Sequence, residues 1–275
     1  MRQRRIDSAI TYVLLTLGAL VLALPFYYML VTSVKPDNEL AQTTVSLIAQ
    51  HPTAKPYADL IQGDAILLAT WNSFVIAAST TLGSMLLCTL AGYAFAKHRF
   101  PGREPLFLTL LATMMVPATV LLVPGFLLMR DFNWLDTWWP LIVPGIAGAF
   151  GVFLARQFMQ KIPDSLLESA KLDGCGEVRI FRSIVLPNVK PLLATLGILT
   201  FLGSWNSFVG PLIMLLDEKK YPLPLVISLL QGRFPYKDNV QMAGAVISIA
   251  PVLVLFFIFQ RQIVQSLAGS GLKES

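Results

Sequence analysis

The chain has 275 residues, of which 55% are hydrophobic and only 13% are charged, and its mean hydropathy is +0.65. Soluble domains carry about a quarter charged residues, so this composition excludes an ordinary water-facing surface. The chain is also too apolar to be intrinsically disordered. Composition alone therefore predicts a membrane protein.

Six runs without any charged residue divide the chain, and each is between 19 and 32 residues long. They are residues 8–34, 65–96, 106–129, 137–155, 191–216 and 241–260. A helix needs about 20 apolar residues to cross the hydrocarbon core, whereas a membrane β-barrel shows alternating segments of about 10 residues. The runs therefore predict an all-α polytopic membrane protein with six transmembrane helices.

The orientation follows from the basic residues. If the N-terminus is inside, the inner segments hold 14 of the 21 Lys and Arg residues. Because Lys and Arg accumulate on the cytoplasmic side of membrane proteins, both termini are predicted to be cytoplasmic. The basic excess then faces membrane lipid at the inner surface, and it gives no case for nucleic-acid binding. The first run is too long for the apolar core of a signal peptide, so we interpret it as an uncleaved span.

Prolines and glycines subdivide these segments. In the outer segment 35–64, Pro36, Pro52 and Pro56 argue against one continuous helix. In the fourth run, Gly145, Gly148 and Gly151 recur every three residues. This spacing predicts a small-residue strip for close helix packing; a gating kink is the alternative.

The inner loop 156–190 is unusually long for a helix–helix connection, which is commonly 2–8 residues, and it carries ten charged residues. Ser165 and Glu168 have the spacing of a capping box. Gly174 has the position of a C-terminal helix glycine, and Pro187 predicts that a second helix stops near Leu186. The loop is therefore predicted to form two short helices at the inner membrane surface, suited to contact a cytoplasmic partner.

The sequence contains none of the common signatures of an enzyme or a bound cofactor. It lacks a GxxxxGK[ST] phosphate loop, HExxH, GxSxG and CxxC, so we expect no catalytic residue, cofactor or metal on this chain. The six runs also lack ionisable Asp, Glu, Lys and Arg, which ion-coupled transporters place at membrane depth. A transporter of this kind would need energy from another chain, and the inner loop is the expected point of entry.

The inner loop carries a recognisable pattern. It reads Glu-Ser-Ala from Glu168, then three residues, Gly174, nine residues, and Ile-x-Leu-Pro ending at Pro187. This resembles the EAA signature of permease subunits of binding-protein-dependent ABC importers, with Ser169 in place of the middle alanine. Stretches beginning at Asn72 and Trp205 are similar to carbohydrate permeases of the maltose type (MalG-like). The resemblance implies the type I ABC importer permease (MetI-like) fold.

The resemblance also implies a set of partners. They are a second, different permease subunit in a heterodimer, two copies of a cytoplasmic ATPase that hold ATP and magnesium, and an extracytoplasmic solute-binding protein. The assembly would import a sugar or sugar-like solute across the cytoplasmic (inner) membrane. A glycerol-phosphate compound or a polyol is the alternative solute. A non-transporting scaffold and an ion-coupled carrier are the alternatives from other functional classes.

The resemblance assigns roles to individual residues. The expected ATPase-coupling residues are Glu168, Ser169, Ala170, Asp173, Gly174, Phe181, Ile184, Leu186 and Pro187. Glu168 would pair with an arginine of the ATPase, or else only cap its own helix. Phe181, Ile184 and Leu186 would enter a cleft of the ATPase, or else pack internally. Trp205 and Asn206, in the fifth run, would line a solute path or serve interhelical packing.

These interpretations divide the chain into three parts. Residues 1–66 form an N-terminal transmembrane helix and an extracytoplasmic loop, 67–265 form the transmembrane core with the coupling loop 156–190, and 266–275 form a cytoplasmic tail. The outer segment 217–240 contains an apolar stretch from Leu223 that is too short to span a membrane. It is predicted to form a loop helix or an interfacial helix, and by resemblance the segment could reach the solute-binding protein.

Overall fold

A computed structural model describes residues 2–41, 46–62, 65–235 and 237–271. Within those ranges every regular element is helical. The α-helices are α1 (Arg2–Ser33), α2 (Asp37–Leu40), α3 (Lys55–Ile61), α4 (Ala65–Lys97), α5 (Arg103–Thr113), α6 (Leu122–Asp131), α7 (Trp139–Ile146), α8 (Ala149–Met159), α9 (Asp164–Leu172), α10 (Glu177–Ile180), α11 (Leu186–Asn188), α12 (Lys190–Trp205), α13 (Val209–Met214), α14 (Leu223–Arg233) and α15 (Asp238–Gly271). Short 3₁₀ turns occupy Ala118–Leu121 and Glu218–Lys220, and a π-helical turn occupies Phe181–Val185.

Helices that are long and apolar enough to cross a membrane occur at four places in the described part of the chain. They are Thr11–Ser33, Ala65–Lys97, Trp139–Met159 and Asp238–Ile258. Two further pairs of helices would each make one bent span. Arg103–Thr113 meets Ala118–Asp131 at 89°, and Glu177–Asn188 meets α12 at 79°. The fold is therefore all-helical, with four to six candidate spans.

The charge-free runs 106–129 and 191–216, each predicted as one span, are interrupted helices. In the first, α5 ends at Thr113 and the chain resumes helical structure only after Pro117. In the second, α12 ends at Trp205, and α13 begins at Val209. Proline lacks an N–H donor, and its ring clashes with the carbonyl four residues earlier. Pro211 cannot donate a hydrogen bond to the Ser207 carbonyl, and its ring would clash with that carbonyl in an α-helix. This explains the second break.

The chain forms two compact units. One comprises residues 1–68 and 226–251, and buried Asn239 holds its polar part together. The Asn239 Nδ2 donates hydrogen bonds to the Lys35 carbonyl at 2.8 Å and to Asp37 Oδ1 at 2.9 Å, while Lys237 Nζ lies 3.6 Å from Asp59 Oδ2. The short helices α2 and α3 confirm that segment 35–64 is not one helix.

The other unit comprises residues 69–225 and 252–275, and glycines bring α4 close to α7 and α8. A Cβ atom at Gly145 would lie 2.6 Å from the Thr80 methyl group, and one at Gly151 would lie 2.7 Å from the Cys88 sulfur. Gly148 has nothing within 4 Å of its Cβ position. The predicted close packing is thus confirmed at Gly145 and Gly151, and the Cys88 sulfur also lies 3.6 Å from the Gly148 carbonyl oxygen.

The predicted loop helix in segment 217–240 is present as α14. It begins at Leu223 and continues to Arg233. Leu223, Leu225 and Leu230 are almost completely buried. The apolar stretch therefore packs within the protein, and burial accounts for its composition.

Candidate functional site

The inner loop folds into two helices joined by a turn at Gly174, as predicted. The first is α9, and the second runs from Glu177 to Asn188; we name residues 164–188 the two-helix loop. Gly174 has φ +79°, a left-handed conformation that favours glycine. Its N–H donates to the Lys171 carbonyl at 3.0 Å, and the Cys175 N–H donates to the Ala170 carbonyl at 2.9 Å. This pair of bonds is a Schellman motif, which satisfies carbonyls at the end of α9.

The predicted capping box between Ser165 and Glu168 is wrong. Helix α9 begins at Asp164, so that Pro163 occupies the N-cap position and no side chain caps the helix. Ser165 lies inside the first turn, where its hydroxyl is past the cap position. Instead, the negative charge of Asp164 stands at the positive end of the helix dipole. Glu168 is consequently not engaged in capping.

Pro187 does not end the second helix at Leu186, also contrary to prediction. Residues Phe181–Val185 form a π-helical turn, and the helix continues through Leu186–Asn188. A π turn contains one more residue than an α-helical turn. The wider turn accommodates Pro187, which the hydrogen-bond pattern of a regular α-helix would exclude. The break falls instead at Val189, after which α12 departs at 79°.

One face of the two-helix loop is buried against the ends of three longer helices. Its buried side chains include Leu167, Ala170, Ile180, Phe181 and Val185, and they form one cluster with Tyr93 of α4, Ala155 and Met159 of α8, and Leu192 of α12. Ile184 and Leu186 are half-buried against the same cluster. Phe181, Ile184 and Leu186 thus have the packing role that was one of their two predicted alternatives.

Ionic contacts fix the two-helix loop to the C-terminal end of α4. The Glu177 carboxylate accepts a 3.1 Å hydrogen bond from the Tyr93 hydroxyl and lies 2.6 Å from Lys171 Nζ and 3.7 Å from His98 Nε2. Glu177 therefore connects both loop helices to α4.

A second ionic contact lies at the start of α9. Lys97 Nζ lies 2.6 Å from Asp164 Oδ1 and also donates to the Ile162 carbonyl. Lys97 lowers the pKa of the Asp164 carboxyl below its ordinary value by donating this hydrogen bond and by its charge. Lys97, at the C-terminal end of α4, thus contacts both the segment that follows α8 and the first residue of α9.

The opposite face of the two-helix loop is exposed and chemically mixed. Leu172 is 89% exposed and Val178 is 72% exposed, and each lies within one or two residues of a charged side chain. The Glu168 carboxylate is exposed and makes no ion pair or hydrogen bond with the described part of the chain. Arg179 and Arg182 border an open concavity on the same loop. We name Glu168, Leu172, Val178, Arg179 and Arg182 the exposed loop face.

The remaining coupling residues occupy defined positions in the loop. Ser169 is exposed and donates its hydroxyl to the Leu166 carbonyl at 3.1 Å. Asp173 is the exposed C-cap of α9, and Pro187 is exposed in the final turn. All nine predicted coupling residues therefore lie in one compact element. Leu172 and Val178, which the sequence analysis did not single out, are its most exposed apolar side chains.

Trp205 and Asn206 lie away from the two-helix loop, at the opposite end of α12. Trp205 is 1% exposed, and its ring stacks on Phe201 with centroids 5.7 Å apart. Asn206 is exposed at the C-cap of α12. The buried indole matches the packing alternative, while a path-lining role for either residue stays a prediction.

Asn72 and Ser73 hold the segment that follows α13. The Asn72 Nδ2 donates to the carbonyls of Lys219 at 2.7 Å and Tyr221 at 3.0 Å. The Ser73 Oγ accepts a 2.7 Å hydrogen bond from the Leu223 N–H. Both side chains are buried. The Asn-Ser pair was visible in the sequence, but its backbone partners nearly 150 residues away were not.

Asp136 holds the same segment from the other side. Its Oδ1 accepts from the backbone N–H groups of Leu216 at 3.0 Å and Asp217 at 2.9 Å, and its Oδ2 lies 2.6 Å from Lys220 Nζ. The Lys220 ammonium and the two N–H donors lower the pKa of Asp136 to about 2. We name Asn72, Ser73, Asp136 and Lys220 the outer clamp, after the side of the membrane that the sequence predicts for residues 217–240.

The fold and the two-helix loop define a class: a helical protein with candidate membrane spans and a loop element that is buried on one face and exposed on the other. Residues 88–269 match the family described as binding-protein-dependent transport system inner membrane component. The match covers more than half of the chain, and the chain belongs to this family. Members of this family are transport permease subunits, and no catalytic activity is indicated for them.

Individual relatives match over nearly the whole length. The chain is 33% identical to the arabinooligosaccharides transport system permease protein AraQ of Halalkalibacterium halodurans, over 98% of this chain and 99% of the relative. It is 31% identical to the lactose transport system permease protein LacG of Rhizobium radiobacter, over 98% and 97%. Among solved structures, a bacterial ABC transporter involved in importing the acidic polysaccharide alginate matches with a TM-score of 0.85 and 25% identity, over 95% of this chain and 98% of that one.

Proposed function

We propose that this chain is one of two permease subunits of an ATP-driven importer that carries a sugar or sugar-like solute across the cytoplasmic membrane. The observation that carries the proposal is the two-helix loop, which is anchored on one face and exposed on the other. The printed names of the relatives, which concern arabinooligosaccharides and lactose, support a carbohydrate as the solute.

The anchoring suits the loop to transmit force. A docking element moves the spans only if it is stiff relative to them, because a soft connection would absorb the displacement. The buried cluster attaches the loop to α4, α8 and α12, and Glu177 and Asp164 add polar attachments to α4. A displacement applied to the loop would therefore reach three helices together.

The exposed loop face would receive the ATPase subunit. Leu172 and Val178 offer apolar anchors, and their exposure in the single chain is explained if a partner covers them. Glu168 presents a carboxylate without a partner in the described residues, so an arginine of the ATPase could pair with it. Two copies of such an ATPase would hold the ATP and magnesium, one on this chain and one on a second, different permease subunit.

The proposed topology has six spans and both termini in the cytoplasm. Each of the two bent helix pairs would then count as part of one crossing, with Glu177–Asn188 lying at the inner surface and α12 entering the membrane. The outer clamp would face the side from which a solute-binding protein delivers its cargo. A structure of an alginate ABC transporter in complex with alginate-pentasaccharide-bound periplasmic protein shares the fold with a TM-score of 0.63, which supports this kind of partner.

Purification from native membranes tests the assembly. The tagged chain, extracted in a mild detergent, is expected to bring with it an ATPase subunit and a second permease subunit. The control is a variant with Leu172→Asp and Val178→Asp, which replaces both apolar anchors of the exposed loop face by carboxylates and should lose the ATPase while keeping the second permease. Recovery of the chain without any ATPase, under conditions that preserve other membrane complexes, would contradict the proposal.

Glu168→Ala tests coupling. It is expected to lower binding-protein-stimulated ATP hydrolysis while membrane insertion stays normal, because the Glu168 carboxylate makes no hydrogen bond or ion pair within the described chain. Glu218→Ala is the matched control, since Glu218 is also exposed but lies beside the outer clamp. Normal uptake and normal stimulated hydrolysis in Glu168→Ala would refute the coupling role.

The alternatives make different predictions. A non-transporting scaffold would have no need of the two-helix loop and would show no solute-dependent ATP hydrolysis. An ion-coupled carrier would continue uptake when ATP is depleted and would stop when the ion gradient is dissipated. A glycerol-phosphate or polyol importer would share the assembly and differ only in the solute that the binding protein carries, so binding measurements on that protein distinguish it.

A further inference from the structure

A groove of about 530 Å³ runs along α12 and is lined also by α4 and α15, within the unit formed by residues 69–225 and 252–275. Four of its lining residues follow one another along α12 at intervals of four, three and four residues, which places them in one stripe on the helix: Lys190, Ala194, Gly197 and Phe201. The two central residues of this stripe are small, so the surface of α12 is hollow there. The volume lies within the range of ligand pockets, which is about 300–1,000 Å³.

The wall of the groove is apolar over most of its length. Met85 of α4 and Leu255 of α15 line it together with the stripe on α12. Thr81 of α4 is a polar lining residue, but it turns its methyl group towards α12: a Cβ atom at Gly197 would lie 3.9 Å from that methyl carbon and 3.3 Å from the Met85 sulfur. A polar occupant would lose its hydrogen bonds to water in such surroundings. The groove therefore suits hydrocarbon.

A positive charge stands at one end of the groove. Lys190 is the only ionisable residue among the described residues that line it. It is exposed and makes no ion pair or hydrogen bond with the described part of the chain. Because side chains on a helix tilt towards its N-terminus, Lys190 at the start of α12 extends towards the two-helix loop. An ammonium in this position complements an anionic group attached to hydrocarbon.

The groove has the depth of one lipid leaflet. Lys190 and Phe201 are eleven residues apart, which corresponds to about 16 Å along an α-helix. The hydrocarbon core of a bilayer is about 30 Å thick, so one leaflet contributes about 15 Å. Helix α12 is part of a candidate bent span. With Lys190 at the membrane surface, the groove would therefore reach from the surface to about the middle of the bilayer.

From these observations we propose that the groove holds an acyl chain of one anionic phospholipid, taken from the leaflet beside the two-helix loop, with the lipid phosphate at Lys190. Basic pockets between transmembrane helices are known to bind anionic headgroups. Another protein that covered the groove would bury the Lys190 ammonium, which is costly unless that protein supplies an acidic partner. A phospholipid supplies its phosphate at the level of Lys190. The site concerns lipid, so it requires neither a solute nor an ATPase subunit.

Lipid binding to the purified chain tests the headgroup end of the site. The full-length, delipidated chain in detergent is titrated in native mass spectrometry with phosphatidylglycerol and with phosphatidylcholine that carry the same acyl chains. Phosphatidylglycerol is expected to bind about fivefold more tightly as the first lipid, and Lys190→Gln should abolish this preference. Lys161→Gln, at another exposed lysine shortly before the two-helix loop, is the matched control and should keep it. Equal affinities in the wild type, or an unchanged preference in Lys190→Gln, would overturn the proposal.

Photochemical cross-linking tests the apolar part of the groove. Phosphatidylglycerol with a diazirine in one acyl chain is expected to cross-link to residues 194–201, both in the isolated chain and in the complex purified from native membranes. Ala194→Leu narrows the groove and Ala194→Trp fills it, so cross-linking should fall from the wild type to Ala194→Leu and again to Ala194→Trp. Leu199→Trp is the matched control, since Leu199 is 48% exposed on the same helix and does not line the groove.

Two results of the cross-linking would contradict the lipid site. One is labelling of residues 194–201 that neither Ala194 variant reduces. The other is the absence of this labelling in the complex from native membranes, which would mean that another subunit covers the groove. Recovery of that complex without an ATPase would count against the proposed function and would leave the lipid measurements on the isolated chain unaffected.

Discussion

The Tyr93 hydroxyl donates a 3.1 Å hydrogen bond to the Glu177 carboxylate, joining α4 to the two-helix loop across 84 positions in the sequence. The Tyr93 ring also packs against Phe181, with centroids 5.5 Å apart. Polar and apolar contacts therefore coincide at one side chain. Tyr93 thus holds the second loop helix to the C-terminal end of α4 by both kinds of contact.

Breaking this contact should loosen the loop without unfolding the spans. Tyr93→Phe removes the hydroxyl that donates, and Glu177→Ala removes the carboxylate that accepts. Since the Glu177 side chain is 48% exposed, solvent screening reduces the contribution of the hydrogen bond to the free energy of unfolding. We expect a coupling energy of about 1 kcal/mol in a double-mutant cycle. The measurement is thermal unfolding of the detergent-solubilised chain.

A functional readout accompanies that cycle. Both single variants should lower binding-protein-stimulated ATP hydrolysis relative to basal hydrolysis, because a looser loop transmits less displacement. Tyr12→Phe is the control, since Tyr12 is 71% exposed on α1 and its loss should have no effect. Additive stabilities in the Tyr93 and Glu177 double variant would show that the bond does not contribute.

Gly174 and Gly176 provide a matched pair on the two-helix loop. Neither glycine has an atom within 4 Å of its Cβ position, but Gly174 has φ +79° and Gly176 has φ −71°. Gly174→Ala should therefore destabilise the loop by about 1–2 kcal/mol through backbone conformation alone, and Gly174→Val by more. Gly176→Ala should be neutral. Limited proteolysis between α9 and α10 measures the difference, and equal protection of both variants would contradict the role of the left-handed turn.

Gly92 should be among the least replaceable residues of α4. A Cβ atom there would lie 2.4 Å from the Ala155 Cβ and 2.9 Å from the backbone of α8, and backbone cannot move aside cheaply. Gly92→Ala is expected to destabilise the protein by about 1–3 kcal/mol. Gly125→Ala, with nothing within 4 Å of its Cβ position in α6, should be neutral or stabilising. Fluorescence-detected thermal stability in detergent compares the two, and an unchanged Gly92→Ala protein would refute the close contact.

The sequence predicted those features that depend on local pattern. Apolar runs predicted helices, and Gly174 predicted the turn, because backbone conformation at a single residue is a local property. The predicted capping box is wrong because α9 begins at Asp164, after Pro163, so that Ser165 is not at the N-cap. The predicted helix end near Leu186 is wrong because a π turn accommodates Pro187. Glu177 and Tyr93 could not be paired in advance, since their contact depends on how α4 meets the loop. The same holds for Asn72 and its backbone partners in the outer clamp.

The outer clamp should respond to pH through Asp136. Its pKa falls from an ordinary 3.8 to about 2, first because Lys220 donates to it and then because two backbone N–H groups do. A carboxyl whose pKa is lowered on folding contributes stability that is fully present above its unfolded value and lost as pH falls through its folded value. The contribution should therefore be constant above about pH 4 and disappear between pH 3.8 and about 2.

Asp136→Asn isolates that contribution. Asparagine tolerates the left-handed backbone of position 136, where φ is +55°, so the variant removes the charge and keeps the turn. The difference in unfolding temperature between wild type and Asp136→Asn should be largest above pH 4 and should vanish as the pH approaches 2. Asp131→Asn, at an exposed pair with Arg130, is the control and should show little difference at any pH. A wild-type advantage that persists undiminished at pH 2 would exclude the Asp136 carboxylate as its source.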